Sequence, residues 1–563
     1  MNTIQGSFAG GMDLISDDVK ISDDAYRMLI NGRPRYNNIK AIKKHEKILN
    51  APLGYKNGGY AIGNIVLLFV YGSAYYQEYG KTSWIRLPGF NMLPEVDYYF
   101  AVVPTSSFNF VRKSAGNVHS PMYATTDFRV SGTPSGLVVQ DGHSQPWIIM
   151  YDEVNQVFTC RELKKYADWK NVSTGLDDRE YVPIGKHMAY RDGKLYIVSV
   201  DRKRIYHSVT GRPLDFVIAV DVEGNKLPTE EQGGADALSF NFDYDSITCF
   251  QTVDLAGSFV YGTDNTVRII TADYTNTLYG EPTYSETAKI NAGIVNQKSF
   301  VELLGDYAFI DEEGVKSFNA VKQVKWEGNN SYFSLMLANL FAGRKQNRCI
   351  CTSFDGYALF NVDTYFGNVI CVYDMYLNKW VSVDITECIL IKDFFEVITD
   401  SERILYAVTK KDDIYKMYSS STEIETCTLE TRAFAPELTS VEHKTQYFRP
   451  FFTGSIVQGT VTLLEYVDEQ ESPGTRESKI LDLAIGGINY PVIPPVKPNN
   501  IQRADNPQFT NTNGLCGRKI AYTLIWNTDA GLDEFEVMTD EQKGNSSNKQ
   551  KEQTYKEIYG TNS

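Results

Sequence analysis

One short hairpin recurs through this 563-residue chain, and no other feature narrows the fold as much. Its clearest copy is Gly193-Lys-Leu-Tyr-Ile-Val-Ser-Val200, the charged turn Asp201 to Arg204, and Ile205-Tyr-His-Ser208. Apolar residues cluster in two short arms around a polar turn, the pattern of paired strands. Arg403-Ile-Leu-Tyr-Ala-Val408, the turn Thr409 to Asp413 and Ile414-Tyr-Lys-Met-Tyr418 repeat it. Three further copies lie between. Ser258 to Thr263 turns at Asp264-Asn265 into Thr266 to Thr271; Asp306 to Asp311 turns at Glu313-Gly314 into Val315 to Asn319; Tyr357 to Asn361 leads to Val369 to Tyr373. The copies begin at Gly193, Gly257, Gly305, Gly356 and Glu402, so the spacings are 64, 48, 51 and 46 residues. A four-stranded propeller blade occupies about 40 to 50 residues and cannot bury its faces alone, so blades stack around an axis until a ring closes. Two earlier candidates, Tyr60 to Val70 and Leu137 to Tyr151, bring the expectation to an all-β propeller of about seven blades over residues 36–418.

The remainder is assigned around that ring. Residues 1–35 read as an amino-terminal segment. The stretch 71–130 is too long for a loop between blades and reads as an inserted β-rich loop or subdomain. It carries Tyr75, Tyr76, Tyr79, Trp84, Tyr98, Tyr99 and Phe100. Those aromatic rings are either core or a contact between subunits, since Tyr and Trp are favoured at interface cores. Ser331 to Arg344 has a helical pattern with Ser331 as cap and Gly343 as stop. Beyond the polar linker Ser419 to Thr422, residues 419–538 read as a smaller β-sandwich-like module. Its strands are separated by a proline-rich loop containing Pro491, Pro494, Pro495 and Pro498, the second candidate interface. Residues 539–563 are mainly polar and are expected to be a disordered tail.

Charge and motif content narrow the function. Lys and Arg number 55 against 70 Asp and Glu, a net charge of −15, which lacks the global footprint of a nucleic-acid binder. The first twenty residues hold Asp13, Asp17 and Asp18 and no base before Lys20, so no signal or transit peptide is expected. The longest apolar run, Ile65 to Tyr71, is far short of the roughly 20 residues that span a bilayer. Eight cysteines without a Cys-x-x-Cys pair suggest reduced, buried thiols, Cys349 and Cys351 among them. No phosphate-cradling loop, dinucleotide fingerprint or His-Glu-x-x-His is present, and the six histidines have no ligand spacing. Asp243 and Asp245 on one side of an extended segment could bind calcium or act as a glycosidase pair, but the glycine and closing glutamate of a calcium loop are missing and a solvated strand face or turn explains them better. No catalytic residue, cofactor or metal is therefore assigned.

Four phrases, in order, carry a resemblance. Phe8-Ala-Gly-Gly-Met12, Ile21-Ser-Asp-Asp24 and Asn31-Gly-Arg-Pro-Arg35 open the chain; Tyr190 to Val198 leads to Ile205-Tyr-His-Ser-Val-Thr-Gly-Arg-Pro-Leu-Asp-Phe216; Ile310-Asp-Glu-Glu-Gly-Val-Lys-Ser-Phe318 follows; Val372-Tyr-Asp374 precedes Lys379-Trp380. This series resembles the tail nozzle and packaged-DNA stabilisation proteins of short-tailed bacteriophages, with Lys316 where that family usually has Arg. The resemblance covers about residues 8–418. It implies a virion component assembled in the bacterial cytoplasm, six copies in a ring around the DNA exit channel, contacting other tail proteins and passing duplex DNA without reading its sequence. An enzymatic propeller acting on carbohydrate, with its site at the axis, and a monomeric adaptor are the competing classes.

Overall fold

The computed structural model describes residues 2–35, 38–104, 129–130, 133–152, 157–165, 181–208, 213–216, 237–239, 245–253, 258–273, 283–318, 333–387, 390–399, 401–434, 442–453, 458–468, 473, 475–482, 508–510 and 516–542. Among them the chain is a β-propeller, built from seven successive antiparallel sheets. Blade 1 is Lys56–Ile62, Ile65–Val70, Ser73–Glu78 and Ile85–Arg86; blade 2 is Tyr99–Pro104, Thr133–Gln140, Trp147–Asp152 and Val157–Glu162. Blade 3 is Gly185–Arg191, Lys194–Ser199, Arg204–His207 and Ala237–Ser239; blade 4 is Ile247–Thr252, Ser258–Thr263, Val267–Asp273 and Thr283–Ile290. Blade 5 shows Phe300–Leu303, Asp306–Ile310 and Val315–Ser317; blade 6 is Ile350–Phe354, Tyr357–Thr364, Gly367–Asp374 and Lys379–Asp384. Blade 7 is Ile391–Ile398, Arg403–Thr409 and Ile414–Lys416, and its fourth strand is Glu46–Lys47 from the other end of the ring. First strands of blades 2 and 3, 3 and 4, 5 and 6, 6 and 7, and 7 and 1 meet around the axis.

Each recurring hairpin is the second and third strand of a blade; Gly193, Gly305 and Gly356 lead three of them from the preceding turn, and Gly257 lies outside the described residues. Gly193, Gly305 and Gly356 all have φ of +79°, with Asp192 and Asp355 at +51° before two of them. Two consecutive positive φ values make the hairpin turn whose twist suits a blade. The next turn uses side chains instead. Asp311 Oδ1 accepts the N–H groups of Glu313 and Gly314, and Thr263 Oγ1 accepts those of Asn265 and Thr266. Neither Asn265 nor Gly314 has a positive φ, contrary to the usual reason for such residues in a turn.

Both faces of each blade are buried, and period two decides which neighbour each side chain meets. In Ile65–Val70, Val66, Leu68 and Val70 join Phe395, Tyr406 and Val408 of blade 7, whereas Leu67 and Phe69 join Leu137, Val139 and Ile149 of blade 2. The other junctions are likewise apolar, and the cluster between blades 5 and 6 runs on into the sandwich core. The aromatic residues assigned to an insertion belong to this system. Ser73–Glu78 and Ile85–Arg86 complete blade 1, and Tyr99–Pro104 opens blade 2, so the stretch is in large part blade and not an added subdomain. The aromatic density that suggested an insertion packs between blades 7, 1, 2 and 3.

The amino-terminal segment is not separate either. Asn2–Gln5 pairs with Gly531–Gln542, which also holds Glu442–Thr453 on its other side. Met28–Ile30 stands between the outer strand of blade 6 and Cys427–Glu430, and beyond lie Ile520–Trp526, Gln458–Val467 and Thr475–Asp482 in one nine-stranded sheet. The carboxy-terminal module is thus two sheets, both completed by the chain's first 41 residues, around Phe8, Tyr26, Phe448, Tyr522, Trp526 and Phe535. Gly531–Gln542 carries the ordered chain past residue 538, and residues 543–563 lie outside the described residues. The expected helix is shorter: a 3-10 turn, Leu335–Leu337, and a single α-turn, Ala338–Phe341, ending before Gly343 at φ +69°. Its expected cap, Ser331, lies outside the described residues.

Candidate functional site

Two places gather polar chemistry: the joint between propeller and sandwich, and one mouth of the propeller axis. At the joint, Asn31 sits at φ +55° and uses its side chain as backbone. Its amide donates to the carbonyls of Ile385 and Thr426, and its oxygen accepts the Ile385 N–H at 2.8 Å. Arg33 then reaches blade 6. Its guanidinium grips both Asp384 oxygens, at 2.7 and 2.5 Å, and donates to Ser382 Oγ at 2.7 Å. Asp384 is fully buried and also accepts the Tyr418 hydroxyl at 2.8 Å. The guanidinium lies 5.4 and 5.2 Å from the ring centres of Tyr357 and Tyr418. Burial opposes its charge, but Asp384 overrides that and raises the Arg33 pKa. His45 completes the group by accepting the Tyr418 N–H at Nδ1, 3.0 Å away, and burial pushes its pKa down to about 4.

The axis is built by close backbone approach. A Cβ on Gly59 would stand 2.1 Å from the Phe395 ring, so only glycine lets blades 7 and 1 meet there. Beside it is a throat of about 710 Å³ with aromatic walls from Tyr60, Phe100 and Phe394. Asp393 spans the blades: it accepts the Gly59 N–H at 3.2 Å and pairs with Lys298 Nζ of blade 5 at 2.8 Å. A second concavity of about 500 Å³ shares Tyr98, Tyr99, Gln297 and Lys298 with the throat and forms the mouth. Lys298, Arg348, Lys392 and Lys410 stand on its wall against one carboxylate, Asp97. Lys392 Nζ pairs with Asp412 at 2.9 Å and lies 3.7 Å from the centre of the Tyr55 ring. The Tyr55 hydroxyl donates to Asp97 at 2.9 Å. His187 is buried edge-on to Tyr99, and burial, then Lys186 and Arg202, lower its pKa to about 3.

No family model and no curated protein matches this chain. Solved structures similar to it include a chain of the Mitotic Checkpoint Complex, at 10% identity over 68% of this chain and 96% of that one, with a TM-score of 0.32. The β-propeller domain of Myceliophteria thermophila Cps50 (Swd1) is another, at 8% identity over 68% of this chain and all of that one, with a TM-score of 0.35. Likeness at these scores says nothing about role.

The candidate interface residues divide. Tyr98 is buried, and Tyr76 and Phe100 pack against the cluster between blades 1 and 2. Tyr75, Tyr79 and Trp84 pack against the cluster between blades 7 and 1, and Tyr99 against that between blades 2 and 3. All seven pack within the molecule, and Tyr75, Tyr76, Tyr79, Trp84, Tyr99 and Phe100 remain partly exposed. Pro491, Pro494, Pro495 and Pro498 lie outside the described residues, as does Asp243. Asp245 caps a turn, accepting the Ser246 N–H and the Thr263 hydroxyl. Cys349 and Cys351 are buried thiols, and burial pushes Cys349 up to about 12. Among the described residues no group of His, Cys, Asp and Glu suits a metal, and no helix is long and apolar enough to cross a membrane.

What sequence reasoning missed was the mouth. Its signal was the phase of the repeat: Lys392 is the second residue of its blade's first strand, and Lys298 and Arg348 stand two residues before theirs.

Proposed function

We propose that this chain is a structural subunit of a bacteriophage tail, one of six in a ring around the DNA exit channel, retaining packaged DNA and then letting it pass. The observation that carries this reading is the joint at Asn31, Arg33 and Arg35. The opening phrase of the family resemblance is the stretch that ties blade 6, the end of blade 7 and the sandwich together. Arg35 adds to it, donating to the Tyr357 hydroxyl at 2.8 Å and pairing with Asp355. A propeller fused to its neighbour through one continuous sheet suits a part that bears load under pressure. An acidic surface suits passage, because each phosphate gripped by Lys or Arg would strengthen binding and retard a moving duplex. A glycosidase at the axis would need two available carboxylates. The axial pair here is engaged, Asp393 with Lys298 and Glu396 with Arg403 at 2.6 Å. Class-averaged electron micrographs of the purified chain test the reading. Closed six-fold rings are expected, and monomers at every concentration, with the chain absent from purified virions, would overturn it.

A further inference from the structure

We propose that the cationic mouth of the propeller axis binds a phosphate-class dianion, free or as the head of a small ligand. The proposal does not depend on ring assembly. Lys298 and Lys392 are each matched by a carboxylate, Asp393 and Asp412, and Asp97 is engaged by Tyr55. Arg348 and Lys410 share their wall, are exposed, and have no ion-pair partner among the described residues. Two uncompensated cations therefore face a concavity on a chain whose net charge is −15. Like charges gathered this way repel each other unless an anion joins them.

His187 is the independent observation. It forms part of the same wall, and its Nδ1 is enclosed with no hydrogen-bond partner. A proton on that nitrogen would have no acceptor, so the neutral ring carries it on Nε2 as a donor. A guanidinium fork, an ammonium and an imidazole N–H match the charge and oxygens of a phosphate, whereas a single carboxylate brings half the charge and two oxygens. Beyond the head group, the aromatic throat leaves room for a ligand's body.

Isothermal titration calorimetry on the full chain at constant ionic strength, with inorganic phosphate, AMP and acetate, tests this. Saturable binding of phosphate or AMP is expected, at least about tenfold tighter than acetate and at least about tenfold weaker in the Arg348→Ala/Lys410→Ala variant, as for lost charged hydrogen bonds. AMP tighter than phosphate assigns the head of a small ligand; equal affinity assigns the free anion. His187→Phe keeps a ring against Tyr99 and should also weaken binding. Should His187→Phe not fold, the exposed double variant still decides. No saturation, equal affinity for acetate, or no change in the double variant overturns the proposal. A chain that binds phosphate yet stays monomeric would defeat the ring reading alone.

Discussion

The propeller is closed on itself and fastened to the sandwich by different physics. Between blades 7 and 1 the contact is mainly apolar, interleaved by alternation along single strands, with a two-residue strand, Glu46–Lys47, as the only ladder from outside among the described residues. At the sandwich, the outer strand of blade 6 meets Met28–Ile30 at one residue pair, Val383 with Ile30, and a buried ion pair and amide reinforce an apolar core that the two parts share. The seam has few directional bonds, Asp393 with the Gly59 N–H and Asp412 with the Lys56 N–H among them, and so tolerates small slips more readily. The polar joint fixes one geometry, since a buried Arg33 and Asp384 are satisfied only in register.

That contrast can be broken at the joint first. Asp384→Ala should cost about 3 to 5 kcal/mol, measured by urea denaturation, because it leaves the Arg33 charge buried and unpaired. Replacing both partners, Arg33→Met with Asp384→Leu, should recover much of the loss; a double variant as unstable as the single would mean that the joint depends on shape. At the apolar seam, Leu68→Ala should cost about 3 kcal/mol by removing a fully buried side chain, and no second substitution across the seam should rescue it except by refilling volume.

Acid sharpens the comparison. The folded joint keeps His45 neutral down to about pH 4, whereas the unfolded chain protonates it below about 6.5. Its contribution is thus fully present above pH 6.5 and is lost as pH falls toward 4. The urea midpoint should drop between pH 7 and 5, and His45→Gln should flatten part of that slope. A wild-type midpoint unchanged over this range would contradict the buried, neutral ring. The smallest effect belongs to the closing strand, where Lys47 pairs with Asp413 at 2.8 Å on the surface. Lys47→Ala should change stability by less than about 1 kcal/mol, and a larger loss would show that the two-residue ladder is more than a latch.

The blades were legible because their cause is local: Gly193, Gly305 and Gly356 mark turns, and the strands between them repeat. The joint was quoted as a phrase, Asn31 to Arg35, without its partners, since Asp384 and Tyr418 lie more than 350 residues away in sequence. The strands that carry the aromatics from Tyr75 to Phe100 were read as an insertion for a related reason. Ring filling and interface filling use the same residue types, and only the sheet order separates them. The mouth was invisible because its cations, Lys298, Arg348, Lys392 and Lys410, come from three blades and become a cluster only when the ring brings them together.

The sharing of strands between the two ends of the chain also sets a schedule. Glu46–Lys47 can pair only after Ile414–Lys416 has left the ribosome, and Asn2–Gln5 only after Gly531–Gln542. At about 5 to 20 residues per second, these opening strands wait on the order of tens of seconds with unpaired edges. During that interval blades 1 to 6 can stack in order while the ring stays open. The last residues synthesised then settle the first, so a nascent chain truncated anywhere before blade 7 leaves its amino-terminal strands without their native partners and open to aggregation.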